Sequence, residues 1–410
     1  MGENGLKELE NQVRFNELKL NSLLEITNSI NTNESVEQLM RIYEFILREQ
    51  LGFSKFILCH IQKEWDILLK VGYKGRLKEL DIEKDLLRFE EITVIESSHL
   101  EVLNEFDVVV PVHHKGKPLA YLLIGNIKDE HLKLNDTLNN VDFLQTLTNI
   151  IVVAIENKRM ANEGLKQARL KKELEVASEM QKLLFPSDLP SNRQMDISAK
   201  YQTHHEVGGD YYDFFQVSDD DYIICIADVS GKGISAAMLM ASFQATLRTL
   251  LNYQRFELEF LMEELNKKVI SSSKGEKFIT FFIAEYNAKT RELTYINAGH
   301  NYPFITNGKK PRYLDKGCVG LGMLDELPFI EKEKLILSKN TTLVLYTDGV
   351  VELENERGEQ FETDRLQHII NQFYPLKMED LNNIIFSKLD EWGGKKKYTD
   401  DTAIFTCRFF

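Results

Sequence analysis

The sequence predicts an α+β protein of more than one domain, on three observations. Its 410 residues are too many for one ordinary core. Residues 191–410 are dominated by short apolar runs that alternate with period two between Gly, Asn and Asp turns, and helical periodicity interrupts them in two places. The preceding part reads helix, strands, hairpin, helix, and runs into a long stretch of heptad-like spacing. Strands in bulk with helices segregated beside them imply an antiparallel β-sandwich flanked by helices.

Residues 6–51 carry the first helical pattern. Leu20, Leu23, Leu24 and Ile26 are followed by a cap at Asn33 or Ser35, then by Leu39, Ile42, Tyr43 and Ile46 at three- and four-residue steps. Strands are expected at 56–61 and 67–71, and 108–112 joins 119–124 across His113-His114-Lys115-Gly116-Lys117 as a hairpin. A helix is expected from about Leu134. Within 144–184, Leu144, Leu147, Ile151, Ala154, Ala161, Leu165 and Ala168 form one block of three- and four-residue steps. Leu170, Leu174, Ala177, Gln181 and Leu184 form a second, out of phase with the first. The spacing suits a coiled-coil seam between two copies of the chain, and a long helix packed on its own domain gives the same pattern. Pro186 and Pro190 end the helix and mark a boundary. Beyond it, strands are expected at 211–217, 222–227, 278–286, 293–298, 343–346 and 403–409. Helices are expected at 235–251, continuing to 270 after a break, and at 364–373 and 380–389. The expected domains are therefore a helical extension (1–19), a sensor-sized domain (20–156), a helical coiled-coil linker (157–190) and a larger domain (191–410).

Composition narrows the function classes. A net charge of −14 argues against a broad nucleic-acid footprint, so a protein or small-molecule partner is expected. Cys59, Cys225, Cys318 and Cys407 stand far apart without a CxxC pair and read as reduced core thiols of a cytoplasmic protein. No apolar leader follows a basic segment, and the longest wholly apolar runs fall far short of the roughly 20 residues that cross a membrane.

Four acidic motifs carry the chemistry: Gly208-Gly209-Asp210-Tyr211-Tyr212-Asp213, Ala227-Asp228-Val229-Ser230-Gly231-Lys232-Gly233, Thr347-Asp348-Gly349 and Thr399-Asp400-Asp401-Thr402. Two lie at strand starts and two at strand finishes, ends that coincide in an antiparallel sheet, so the acids are expected to converge on one rim. Clustered carboxylates repel unless a cation holds them, and carboxylate, carbonyl and water are the ligands that Mg and Mn prefer. Gly209 and Gly231 keep side chains away from that approach. Taken singly, each Asp is an ordinary turn residue. Gly208-Gly209-Asp210 lacks the Glu-Phe of diguanylate cyclases, and Ser230-Gly231-Lys232 lacks the upstream glycine of a P-loop.

In this order, and with 179–186 at the start, Asn297-Ala298-Gly299-His300-Asn301 midway and Gly320-Leu321-Gly322 after it, the motifs closely resemble the SpoIIE/RsbU branch of PPM, or PP2C-like, serine/threonine phosphatases. The likeness runs from Glu173 to the last residue. It implies a PP2C-like sandwich with two Mn2+ or Mg2+ ions, which activate a water and clamp phosphoryl oxygens without a protein nucleophile. It makes Asp228 the acid that bridges both ions and puts the Val229 carbonyl on one. Asp210 binds the first ion, mainly through water, and Asp348 and Asp400 hold the second. Asp401 falls one place beyond the ligand in the pattern and is expected to support it, as is Asp213. His300 either donates a proton or hydrogen bond to phosphate or caps its own loop. Tyr302 departs from the proline common at that place, which bears on substrate fit. The usual substrate of such enzymes is a phosphorylated anti-sigma-factor antagonist of STAS type in a partner-switching pathway. The order of elements over 20–156 is similar to a GAF sensory domain, an α/β fold, so control of the phosphatase by this sensor through the linker is expected, as is a homodimer. Two other classes stay open: a catalytically inactive partner-binding module, and a sensor whose small-molecule ligand or docking partner is the point of the protein.

Overall fold

The computed structural model describes residues 3–61, 65–75, 82–95, 102–114, 116–126, 141–253, 257–396 and 398–410. It divides into two compact units, Met1–Gln167 and Ala168–Phe410.

The first unit opens with helices Glu3–Asn31 and Val36–Phe45. Of the two expected caps, Ser35 is the one used: its hydroxyl accepts the Gln38 amide N–H, and the Gln38 side chain accepts the Ser35 N–H. A five-stranded antiparallel sheet follows, from β1 (Lys55–Ile61), β2 (Trp65–Val71), β3 (Thr93–Val94), β4 (Val108–His114) and β5 (Lys117–Gly125), in the order β2-β1-β5-β4-β3. Strand alternation sorts its faces. Phe56, Leu58 and Leu122 join Tyr43 and Leu47 in one core, while Ile57, Cys59, Tyr121 and Leu123 pack with Phe106 on the other side. The expected helix start near Leu134 lies outside the described residues, and so does Lys115 of the hairpin.

Helix Val141–Lys182 runs 42 residues across the division between the units. Its first part corrects the seam expected from 144 onward. Leu144, Leu147 and Ile151 are buried in the core of the first unit, because a three- and four-residue stripe serves a sheet face as well as it serves a second helix. Leu165, Leu170, Val176, Met180 and Leu183 stay exposed.

The second unit is a sandwich of two antiparallel-rich sheets. One follows the order β13-β10-β9-β8-β7, from β7 (Tyr211–Gln216), β8 (Asp221–Val229), β9 (Ile279–Asn287), β10 (Glu292–Ala298) and β13 (Gly317–Cys318), with β14 (Glu333–Ile336) pairing β10. The other follows β12-β11-β15-β16-β6, from β6 (Met195–Gln202), β11 (Phe304–Thr306), β12 (Arg312–Tyr313), β15 (Thr341–Tyr346) and β16 (Thr402–Phe409). Tyr222, Ile224 and Ile226 meet Leu343, Leu345 and Phe405 between them. Helices Ile234–Tyr253 and Leu258–Ser273 cover the outer face of the first sheet, and Glu362–Gln372 and Met378–Gly393 that of the second. β6 lies where no strand is expected, although Met195, Ile197, Ala199 and Tyr201 alternate there with polar residues.

Among the described residues, one helix, Ile234–Tyr253, is long and apolar enough by length and composition to cross a membrane. Its Ala236, Met240, Phe243 and Leu247 are packed against the sheet. All four cysteines are buried and unpaired.

Candidate metal centre

Strand pairing builds the site. Tyr211 pairs with Ala227, so Asp210, just before β7, and Asp228, near the finish of β8, share one end of the first sheet. Tyr346 pairs with Ile404, which brings Asp348 and Asp400 to one end of the second. The acids therefore come from two sheets, not from the single sheet expected. Thr347 joins the two ends: its hydroxyl donates to Asp210 Oδ2 at 2.7 Å and accepts the Ala403 amide at 2.9 Å.

The electrostatics record the crowding. Burial pushes the Asp210 carboxyl well above the usual range, and the charges of Asp228 and Asp401 add to it. Asp228 is raised by burial and then by Asp348 and Asp400. Asp348 is pushed up to about 6, first by burial and next by Asp400. Carboxylates held at such cost suit a hard divalent cation, so this donor set fits Mg2+ or Mn2+. Among the described residues no three His, Cys, Asp or Glu side chains stand as a ready-made cage. Ions shared with water and a backbone carbonyl need fewer protein carboxylates each.

Val229, the expected carbonyl ligand, is the last residue of β8 and buried. A side chain on Gly209 would stand 3.2 Å from its carbonyl oxygen, so glycine is what lets the Asp210 loop approach it. Gly231, at φ 84, turns the chain after Ser230, under the Lys277 ammonium.

Two of the expected acids have other work. Asp401 holds the loop that carries Asp210: its oxygens accept the amides of His204 at 2.8 Å and Gly209 at 2.6 Å. Asp213 is fully buried and is not brought to the rim. Arg248 grips both its oxygens at 2.8 Å, and the Tyr211 hydroxyl donates to it.

His300 is buried with both ring nitrogens engaged, Nδ1 by the Thr280 hydroxyl at 2.9 Å and Nε2 by the Tyr346 carbonyl at 3.1 Å. Its amide donates to Asn297 Oδ1 at 2.7 Å, and burial lowers the imidazole to about 4. Of its two expected roles this geometry favours loop capping, since both ring nitrogens already have partners within the protein.

Sequence reasoning missed Thr347, Gln181 and Lys232 as working residues, although each lies inside a quoted motif. Gln181, assigned to the seam, is buried. Its amide donates to the Gly208 carbonyl at 2.7 Å, and its oxygen accepts the Gly208 N–H at 3.1 Å.

Residues 218–410, which hold Asp228, Asp348 and Asp400, match the family described as stage II sporulation protein E (SpoIIE). Phosphoserine phosphatase RsbU of Bacillus subtilis is 31% identical over 242 residues, covering 58% of this chain and 70% of that protein. The chain belongs to the SpoIIE/RsbU phosphatase family. It is also similar to protein IcfG of Synechocystis sp., at 25% identity over 410 residues, and spans 63% of that relative's length. The solved SiaA-PP2C domain of Pseudomonas aeruginosa superposes with a TM-score of 0.51 at 18% identity, over 60% of this chain and 99% of that one, a likeness of fold.

Proposed function

We propose that this chain hydrolyses phosphoserine or phosphothreonine on a partner protein, using two Mn2+ or Mg2+ ions. The observation that carries the reading is the meeting of Asp210, Asp228, Asp348 and Asp400 at one rim of the sandwich, in a chain of this family. Asp228 would bridge the ions, Asp210 and the Val229 carbonyl would serve the first, and Asp348 and Asp400 the second. When bound, such ions supply Lewis acidity that acidifies water and neutralises phosphoryl oxygens. The chain's own residues prepare the place. Thr347 fixes the Asp210 carboxylate, Asp401 fixes the Gly209 amide, and neutral His300 braces the loop at 299–301.

The substrate class is a phosphorylated anti-sigma-factor antagonist of STAS type, in keeping with the likeness to the phosphoserine phosphatases RsbU and RsbP. The net charge of −14 disfavours nucleic acid, and the buried unpaired cysteines suit the cytoplasm. The first unit is a GAF-like sensor for a small molecule or a docking partner. In support, its sheet has helices on one face and an aromatic-lined cluster around Tyr73, Phe106 and Tyr121 on the other. Control passes along helix Val141–Lys182. Gln181 near its end grips Gly208, two residues before Asp210, so a shift of the helix moves a metal ligand. The exposed Leu165, Leu170, Val176, Met180 and Leu183 supply the homodimer contact. A concentration-independent monomer in analytical ultracentrifugation would remove that last element.

The activity is tested with an aryl phosphate and with a phosphoserine-bearing antagonist protein. Hydrolysis that appears with Mn2+ and stops on chelation supports the reading, and none at any metal concentration refutes it.

A further inference from the structure

The turn after Asp228 sets a lysine on a residue proposed to hold metal. Lys232 Nζ lies 2.6 Å from Asp400 Oδ2 and donates to the Thr399 carbonyl at 2.7 Å. The other oxygen, Asp400 Oδ1, accepts the Asp401 amide at 2.9 Å. Both oxygens are thus engaged, one of them by a cation. The two side chains are 43% and 36% exposed, so ions in solution can reach the pair. Lys232 stands between Gly231 and Gly233, whose φ angles of 84° and 73° shape a turn without bulky neighbours.

We propose that Lys232 is a tethered counter-ion of the second metal position: a divalent ion competes with its ammonium for Asp400, and the ammonium it displaces pairs with the phosphoryl dianion of the substrate. This rests on the two-metal reading above. An ammonium and a divalent cation both at contact distance from Asp400 Oδ2 repel each other, so they compete for it. Lysine suits the exchange, being a point charge on a flexible four-carbon stem. Two consequences follow. The second ion binds more weakly than the first, and phosphate tightens it by giving the displaced ammonium a new partner. Linkage makes that effect reciprocal.

The test is calorimetric titration of the full chain with Mn2+, with and without inorganic phosphate, on wild type, Lys232→Met, Lys232→Gln and Lys232→Arg. An exposed pair is worth up to about 1 kcal/mol, so both neutral variants should bind the second ion roughly threefold to fivefold more tightly. They should also lose the tightening caused by phosphate, while Lys232→Arg keeps the wild-type pattern. A second site unchanged or weakened in a neutral variant of native circular dichroism overturns the inference, as does phosphate tightening that survives there. Wild type that binds no Mn2+ at all would instead refute the metal reading beneath it.

Discussion

Thr347 Oγ1 donates a 2.7 Å hydrogen bond to Asp210 Oδ2, and that one contact links residues 137 positions apart across the two sheets. The hydroxyl is fully buried and also holds the Ala403 amide, so it is fixed from both sides. Hydrogen bonds to charged groups are worth about 1.5 to 3 kcal/mol. Thr347→Val should therefore weaken Mn2+ binding about tenfold or more, and Thr347→Ser should restore most of it. Calorimetric titration of the two variants decides the matter.

Asp213, fully buried, and Arg248, with its side chain 39% exposed, form a bidentate pair away from the rim. Removing Asp213 leaves the Tyr211 hydroxyl and a partly exposed guanidinium without their shared partner, at a cost of about 1 to 3 kcal/mol. Asp213→Ala is expected to lower the urea midpoint by that measure while the folded fraction still binds Mn2+ with wild-type affinity. Lost metal binding at full stability would instead place Asp213 among the ligands.

Asp348 sits among like charges in a half-buried site. Without divalent ions, Asp348→Asn should stabilise the fold by about 1 to 3 kcal/mol at neutral pH, since it removes that repulsion. The same variant should show a smaller rise in melting temperature on adding Mn2+. Thermal melts with and without metal check both signs.

His300 gives a pH dependence of known sign. Its folded value, about 4, lies below the ordinary 6.5. Above pH 6.5 the ring is neutral folded or unfolded, and its contribution to stability is complete. As pH falls from 6.5 toward 4, the unfolded chain takes up a proton that the buried site refuses, and that contribution is lost. The loss approaches about 3 kcal/mol at 1.36 kcal/mol per unit. Urea unfolding at pH 7 and pH 4.5 should show a steeper fall for wild type than for His300→Asn.

Much of the fold was legible because period-two alternation survives in single strands. Residues 222–227 and 403–409 read as strands and lie within β8 and β16. The gathering of the acids followed from strand polarity. That they come from two sheets did not, since alternation says which residues share a face but not which strands share a sheet. Asp213 read as a supporting acid of the site, and its actual partner was not legible because Arg248 arrives 35 residues later from a helix. Leu144, Leu147 and Ile151 misled for another reason: one helical stripe serves a domain core or a second copy equally well. Thr347 and Gln181 act through contacts 137 and 27 residues long, which no local pattern encodes.

The central claim is that carboxylates at this rim work through divalent metal. Mn2+-dependent hydrolysis of an aryl phosphate by wild type and by folded Asp228→Asn tests it most directly. The account predicts that the variant loses turnover by orders of magnitude and no longer binds two ions, whereas equal rates in the two proteins would contradict it.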